Sequence, residues 1–442
     1  MNRQSRSASR RGRRLAALVA PILVVTGLAP TLASAHEDGS PAWVVLEWNQ
    51  ALVNALTVEN TAPPPAMRAG AIVQVSVFDA VDGLTNQYVA YHLPGPAPHG
   101  ASAPAAAAGA AHQALVTLFP AEQTRFDALL ASDLTRLRDD AGESDEDAVQ
   151  RGVDWGVSVA DAILALRAHD GLTTPSPPYV PNPAIGRWQP TPPAYVPSPA
   201  FRQFAAMTGW ALTSPGQFLP GPPPALTSAQ YTQDYNEVKT SGAANSTVRS
   251  DFQTQTAQFW QSAPPVTLWD GVADTLIASR HVDLTDATHL LALTNMAMAD
   301  AVIAIWNAKN FYDTWRPVTA IQHADLDNNP LTEADPNWQP LLVTPAFQEY
   351  PAGHPGVSAA AAAVLAERFG NNTSYTITSP AMTGVTRTLP SFSAGVQQVI
   401  DARVFGGIHF RFAGDTAAVM GRQVASYVEA TQLQPRRCPR QH

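Results

Sequence analysis

Proline limits this 442-residue chain more than any other residue. Ten prolines fall between Pro175 and Pro199, and five more follow up to Pro224. Proline lacks a backbone donor and clashes with the preceding turn, so neither a helix nor a central strand fits there. The same stretch holds Tyr179, Trp188, Tyr195 and Phe201, which solvated linkers lack. It is expected to be an ordered, extended crossover over 170–225, laid on the surface. Its aromatic rings should serve packing rather than a ligand, and residues 36–442 should form a single helical domain.

On both sides of the crossover the pattern is helical. Ala71–Val81 is an apolar run with the period of a buried helix. The alanine run at 101–111 continues to Leu118 and stops at Pro120. Residues 122–138 and 145–168 are amphipathic. Beyond Thr227 helices return, with Thr285 as N-cap for a face of Leu290, Leu293, Ala297, Ala301 and Ile305. Pro355–Phe369 reads as a helix closed by Gly370, and Asp415 to about Thr431 as the last one. Alternating β patterns are few. The class is all-α.

The first 35 residues read as an export leader. Six arginines precede an apolar run from Leu15 to about Leu32, which ends in Ala33-Ser34-Ala35. Cleavage there makes the protein exported, periplasmic or extracellular, and takes the net charge from −9 to −15, six cations and no acid being lost. No later run of 18 apolar residues is evident, so no stable membrane span is expected in the mature chain. An acidic surface argues against nucleic acid as partner. The one cysteine, Cys438, excludes a disulfide framework and Cys-ligated metal sites.

Three segments concentrate unusual residues. Lys309 and Arg316 stand seven apart, within about 20° on a helical wheel, and Pro317 forces Arg316 out of the helical region. Lys309 is conspicuous, because 25 of the 27 cations are arginines. In the second segment, Gly353-His354 enters the alanine-rich helix, whose free N–H groups form an anion site and disfavour an imidazolium. In the third, Gly406-Gly407 breaks a helix, so that Arg403 and His409 can turn to one centre. His409, between Ile408 and Phe410, should be half buried and in need of a hydrogen bond or a metal. The set can hold a tetrahedral oxyanion with no carboxylate against it, in a site within 306–415. The acidic stretch 325–329 reads as a solvated loop, and His281 and His289 as surface or capping residues.

K-x6-R-P, P-x-G-H and R-x5-H, in this order, resemble the three-part signature of vanadium-dependent haloperoxidases and type 2 phosphatidic-acid-type acid phosphatases. Trp315–Ile321 and Arg403–Phe412 resemble the haloperoxidase branch. The resemblance implies two four-helix-bundle-like halves and a vanadate cofactor held by Lys309, Arg316, Arg403 and the N–H of Gly353. It further implies His409 as vanadium ligand, His354 as acid–base group, Lys309 directed at incoming peroxide, and Trp306 and Phe347 beside the halide. The reaction implied is oxidation of halide by hydrogen peroxide to hypohalous acid, which passes to an organic acceptor. The alternative is a phosphatase with His409 as nucleophile. Two departures stand out: the usual serine before Gly353 is Ala352, and the acid expected four residues after His409 is absent. Asp415 follows at six instead, which leaves open which group orients the ring.

Overall fold

A computed structural model describes residues 42–141 and 146–436. The expected leader over 1–35 and Cys438 lie outside them. Among the described residues, five α-helices precede the crossover: α1 (Trp43–Val58), α2 (Pro63–Thr85), α3 (Ala103–Leu118), α4 (Gln123–Ala141) and α5 (Glu146–Arg167). Prolines open α2 and α3, where a missing N–H costs nothing. The tightest contact in this bundle pairs α3 with α5. A Cβ at Gly156 would lie 2.1 Å from the Ala106 carbonyl, so the two backbones pack at a separation only glycine allows.

After the crossover come α6 (Ala229–Ser241), α7 (Asp251–Gln261), α8 (Pro265–Ser279), α9 (Leu284–Tyr312), the short α10 (Pro317–Gln322), α11 (Gly353–Phe369), α12 (Phe392–Phe405) and α13 (Arg411–Thr431). The second bundle is built on α9, α11, α12 and α13, and α9 also packs along α2 of the first. One buried apolar cluster runs through both bundles, from Trp48 and Phe78 to Ile305 and Val424. The helical class and the two bundles therefore hold.

Several details differ from expectation. Asp283, not Thr285, caps α9 by accepting from the Asp286 N–H; Thr285 is buried against Thr85. The final helix begins at Arg411 rather than Asp415, and α11 begins at Gly353 rather than Pro355. A hairpin of β1 (Tyr375–Thr378) and β2 (Thr386–Leu389), in register Tyr375 to Leu389, interrupts the helices. By length and hydropathy, α9 could cross a membrane, but 94% of its apolar window is buried among other helices. Asp327 of the acidic stretch is buried and accepts from Thr332 and Asn329, while Asp325 is exposed. His289 is not a surface residue: it stacks on Tyr88 at 3.9 Å.

The crossover is ordered and fixes what lies beneath it. Trp188 is fully buried, and its N–H donates to the Asp313 carbonyl (2.8 Å). Trp315 returns a bond to Gly186 (3.0 Å), and Ala200 donates to Ala346 (2.8 Å). Tyr195, by contrast, is exposed. Buried backbone without these partners would be costly, so an extended segment is held wherever it meets a loop with free groups.

Candidate active site

Lys309 lies in the last turn of α9, completely buried. The helix ends when Asp313 adopts a left-handed conformation (φ 50°), and Arg316 is extended ahead of Pro317. The two cations converge through this turn rather than along one helical face. The loop 347–350 is clamped alongside: Glu349 N–H donates to the Thr314 carbonyl (3.1 Å) and Tyr350 N–H to Thr314 Oγ1 (2.9 Å). Lys309 Nζ then donates to the carbonyls of Gln348 (2.7 Å) and Glu349 (3.0 Å).

Arg316 and Arg403 are also buried. Arg316 Nε donates to the Phe347 carbonyl (2.6 Å) and Nη1 to that of Ile408 (2.7 Å), while Arg403 Nη2 donates to Gln261 (2.8 Å). Arg316 Nη2 and Arg403 Nε and Nη1 are buried and have no hydrogen-bond partner among the described residues. Burial pushes both guanidinium groups down to about 9, so both stay cationic at neutral pH. Burial, then the Arg316 and Arg403 charges, holds Lys309 well below its ordinary range, against the pull of Glu349.

His354 occupies the second position of α11, beside a helix start that no side chain caps. It keeps some surface toward a cavity of about 50 Å³ that it shares with Gly353, Arg403 and His409. His409 is almost fully buried, not half buried. Desolvation comes first in lowering both imidazoles, and the neighbouring arginines and Lys309 add to it. Both rings are thus neutral at pH 7.

Glu349, which the sequence did not single out, is the acid of the site. Its Oε1 accepts from Phe410 N–H (3.0 Å) and lies 3.1 Å from His409 Nδ1. Burial raises its carboxyl to about 7, against Lys309 and Arg316. Asp415 is exposed, and the acid beside His409 comes from the loop ahead of His354. No carboxylate lines the cavity itself; Glu349 stands behind His409, on the far side of the ring. A buried carboxylate cannot be told from a surface one by spacing alone, and Gln348-Glu349-Tyr350 carries no other signal.

Trp306 and Phe347 do line the cavity, their rings 5.1 Å apart. Met67 of the first bundle and Phe201 of the crossover join them, so one crossover ring faces the site after all. A Cβ on Gly353 would enter this space 3.6 Å from Trp306. Ala352 brings no hydroxyl, and its N–H is spent on Ala413 (3.0 Å).

Two buried guanidinium cations and a buried lysine against one carboxylate are costly without a counter-charge. Three unpartnered guanidinium nitrogens, a free ammonium N–H and an uncapped helix start supply what a tetrahedral oxyanion accepts from. The residues fit phosphate or vanadate by charge and donor count. A helical fold with such a cradle is what the resemblance to acid phosphatases and vanadium haloperoxidases implies.

Residues 289–435 match a family profile described as the VCPO second helical-bundle domain. The vanadium chloroperoxidase of Curvularia inaequalis is 26% identical over 371 residues, 66% of this chain and 59% of that protein. The chain thus spans less than two thirds of that relative's length. A solved structure described as the first bacterial vanadium-dependent iodoperoxidase aligns with a TM-score of 0.77 at 26% identity, covering 90% of this chain and 98% of that one. A holo-type bacterial vanadium-dependent chloroperoxidase aligns at 0.65 and 17% identity, over 83% and 91% of the two chains, a likeness of fold alone. Together these matches make the chain similar to vanadium haloperoxidases in fold and in the segment that carries the candidate site.

Proposed function

We propose that this protein is an exported, vanadate-dependent haloperoxidase that oxidises halide with hydrogen peroxide to hypohalous acid. The observation that carries the reading is the trio of buried, unpartnered guanidinium nitrogens around His409 and His354. Arg316 and Arg403 would hold the oxyanion from two sides, the Gly353 N–H and the α11 start from a third, and His409 would ligate vanadium. When bound, vanadate supplies a Lewis-acid centre that activates peroxide toward attack by halide.

The chain's own groups do the rest. Two of the three Lys309 donors are tied to carbonyls, which leaves one N–H to direct at a peroxide oxygen. His354, held neutral, can take a proton from incoming peroxide at a ring nitrogen and return it to a leaving oxygen. Trp306, Phe347, Phe201 and Met67 give the cavity an apolar wall that suits a weakly hydrated halide. One water needs about 10–15 Å³ of such space, so a cavity of about 50 Å³ has room for small inorganic groups alone. An organic acceptor would meet the product outside it. The same wall disfavours a bulky phosphomonoester, and with it the phosphatase reading.

Purified protein supplied with vanadate, peroxide and bromide should halogenate a β-diketone dye. Turnover of p-nitrophenyl phosphate without halogenation would overturn the reading.

A further inference from the structure

We propose that Glu349 is the positioning residue for His409, fixing the ring in its Nδ1–H tautomer so that the Nε2 lone pair is presented to the oxyanion cradle. This rests on His409 being the vanadium ligand.

The tautomer is set from both ends of the ring. Arg316 Nη1 lies 3.0 Å from Nε2 against 3.5 Å from Nδ1, and a guanidinium can only donate, so the nearer nitrogen is the acceptor. Nε2 therefore carries the lone pair and Nδ1 the proton. At the other end, Nδ1 lies 3.1 Å from Glu349 Oε1, the oxygen that already accepts the Phe410 N–H. One acceptor thus binds both the ring and the backbone of the residue that follows it, which fixes ring rotation as well as proton position. A ligating histidine needs both.

Glu349 is also held to the other cationic segments. Its carbonyl accepts from Lys309 Nζ (3.0 Å) and its N–H donates to Thr314 (3.1 Å). It therefore joins the α9 end, the loop before α11 and the turn before α13 in one buried link. Neither nearby alternative can serve: Asp415 is exposed, and residue 413 is an alanine.

Vanadate and phosphate share shape and charge, but the nitrogen–metal bond belongs to vanadate, so comparing the two isolates the ligand role. Orthovanadate and inorganic phosphate are titrated calorimetrically into the full chain and into Glu349→Ala and Glu349→Gln, with thermal unfolding as a folding check. Loss of an outer partner of a metal ligand costs about 10–100-fold in affinity. Glu349→Ala should weaken vanadate by that factor and leave phosphate within about threefold. Glu349→Gln, whose carboxamide oxygen still accepts from Nδ1–H, should recover most of the vanadate affinity. Equal loss of both anions in Glu349→Ala would mean a structural role and overturn the proposal. So would unchanged vanadate binding, or a glutamine variant no better than alanine. A wild-type chain that binds vanadate no more tightly than phosphate would overturn the ligand assignment for His409, and this proposal with it.

Discussion

Lys309 shows how much one side chain can be asked to do. A fully buried ammonium is expensive, and two backbone carbonyls with one carboxylate nearby do not neutralise it. Its free donor and its contact with the Trp306 and Phe347 rings place it where peroxide and halide would meet. The other lysine, Lys239, binds the carbonyl and carboxylate of Glu333 near the surface. Lys309→Ala should lower halide oxidation by about 100- to 1,000-fold, the usual scale for one positioned donor, and weaken vanadate binding much less, because both arginines remain. Lys309→Arg should not rescue it, since a planar fork is a poor substitute for a point charge. Steady-state kinetics beside vanadate titration separates the two effects. Six of the site residues were legible because their spacing and flanking Pro or Gly residues are local. Glu349 was not, because its meaning comes from a ring sixty positions away.

Elements meet this way because small residues and turns permit it. A Cβ on Gly421 of α13 would come within 2.0 Å of the Gly356 carbonyl in α11, the helix that carries His354. Gly421→Val should therefore force the pair apart, cost about 1–3 kcal/mol in urea unfolding, and lower activity through α11. Between α8 and α9, Asp270 is buried and accepts from Asn295 Nδ2 (3.0 Å). Burial raises its carboxyl to about 7. The folded state then holds a proton that the unfolded state has released, so stability falls as pH rises from about 4 to about 7. Asp270→Asn should match wild type near pH 4 and exceed it at pH 8 by on the order of a few kcal/mol; parallel pH profiles in the two proteins would contradict this. Helix ends marked by Pro, Gly or a capping side chain were readable from sequence. The hairpin was not, because four-residue strands such as Tyr375–Thr378 show too few alternations to stand out. The start of α13 was hidden for another reason: Phe410 and Phe412 look like loop packing until Asp234 is seen to accept the Phe412 N–H (2.7 Å).

For the whole molecule, two bundles and a proline-rich strap surround a pocket of uncompensated positive charge. Met67 reaches the cavity from the first bundle, Phe201 from the crossover, and His354, Arg403 and His409 from the second. Such long-range convergence could not be read from any one segment, though the order of the cationic segments could. Because the site stores like-charge repulsion, an oxyanion that binds the folded chain alone must stabilise it, by about 2.7 kcal/mol at a hundredfold excess over Kd. Vanadate and phosphate should both raise the melting temperature, and dialysis against a chelator of vanadate should reverse it. The most direct measurement is calorimetric titration of vanadate into the wild-type chain and into His409→Ala. One vanadate per chain for wild type, and no binding at the same concentrations for the variant, is the expected result. Equal stoichiometric binding by both proteins would contradict His409 as the ligand and, with it, the proposed chemistry.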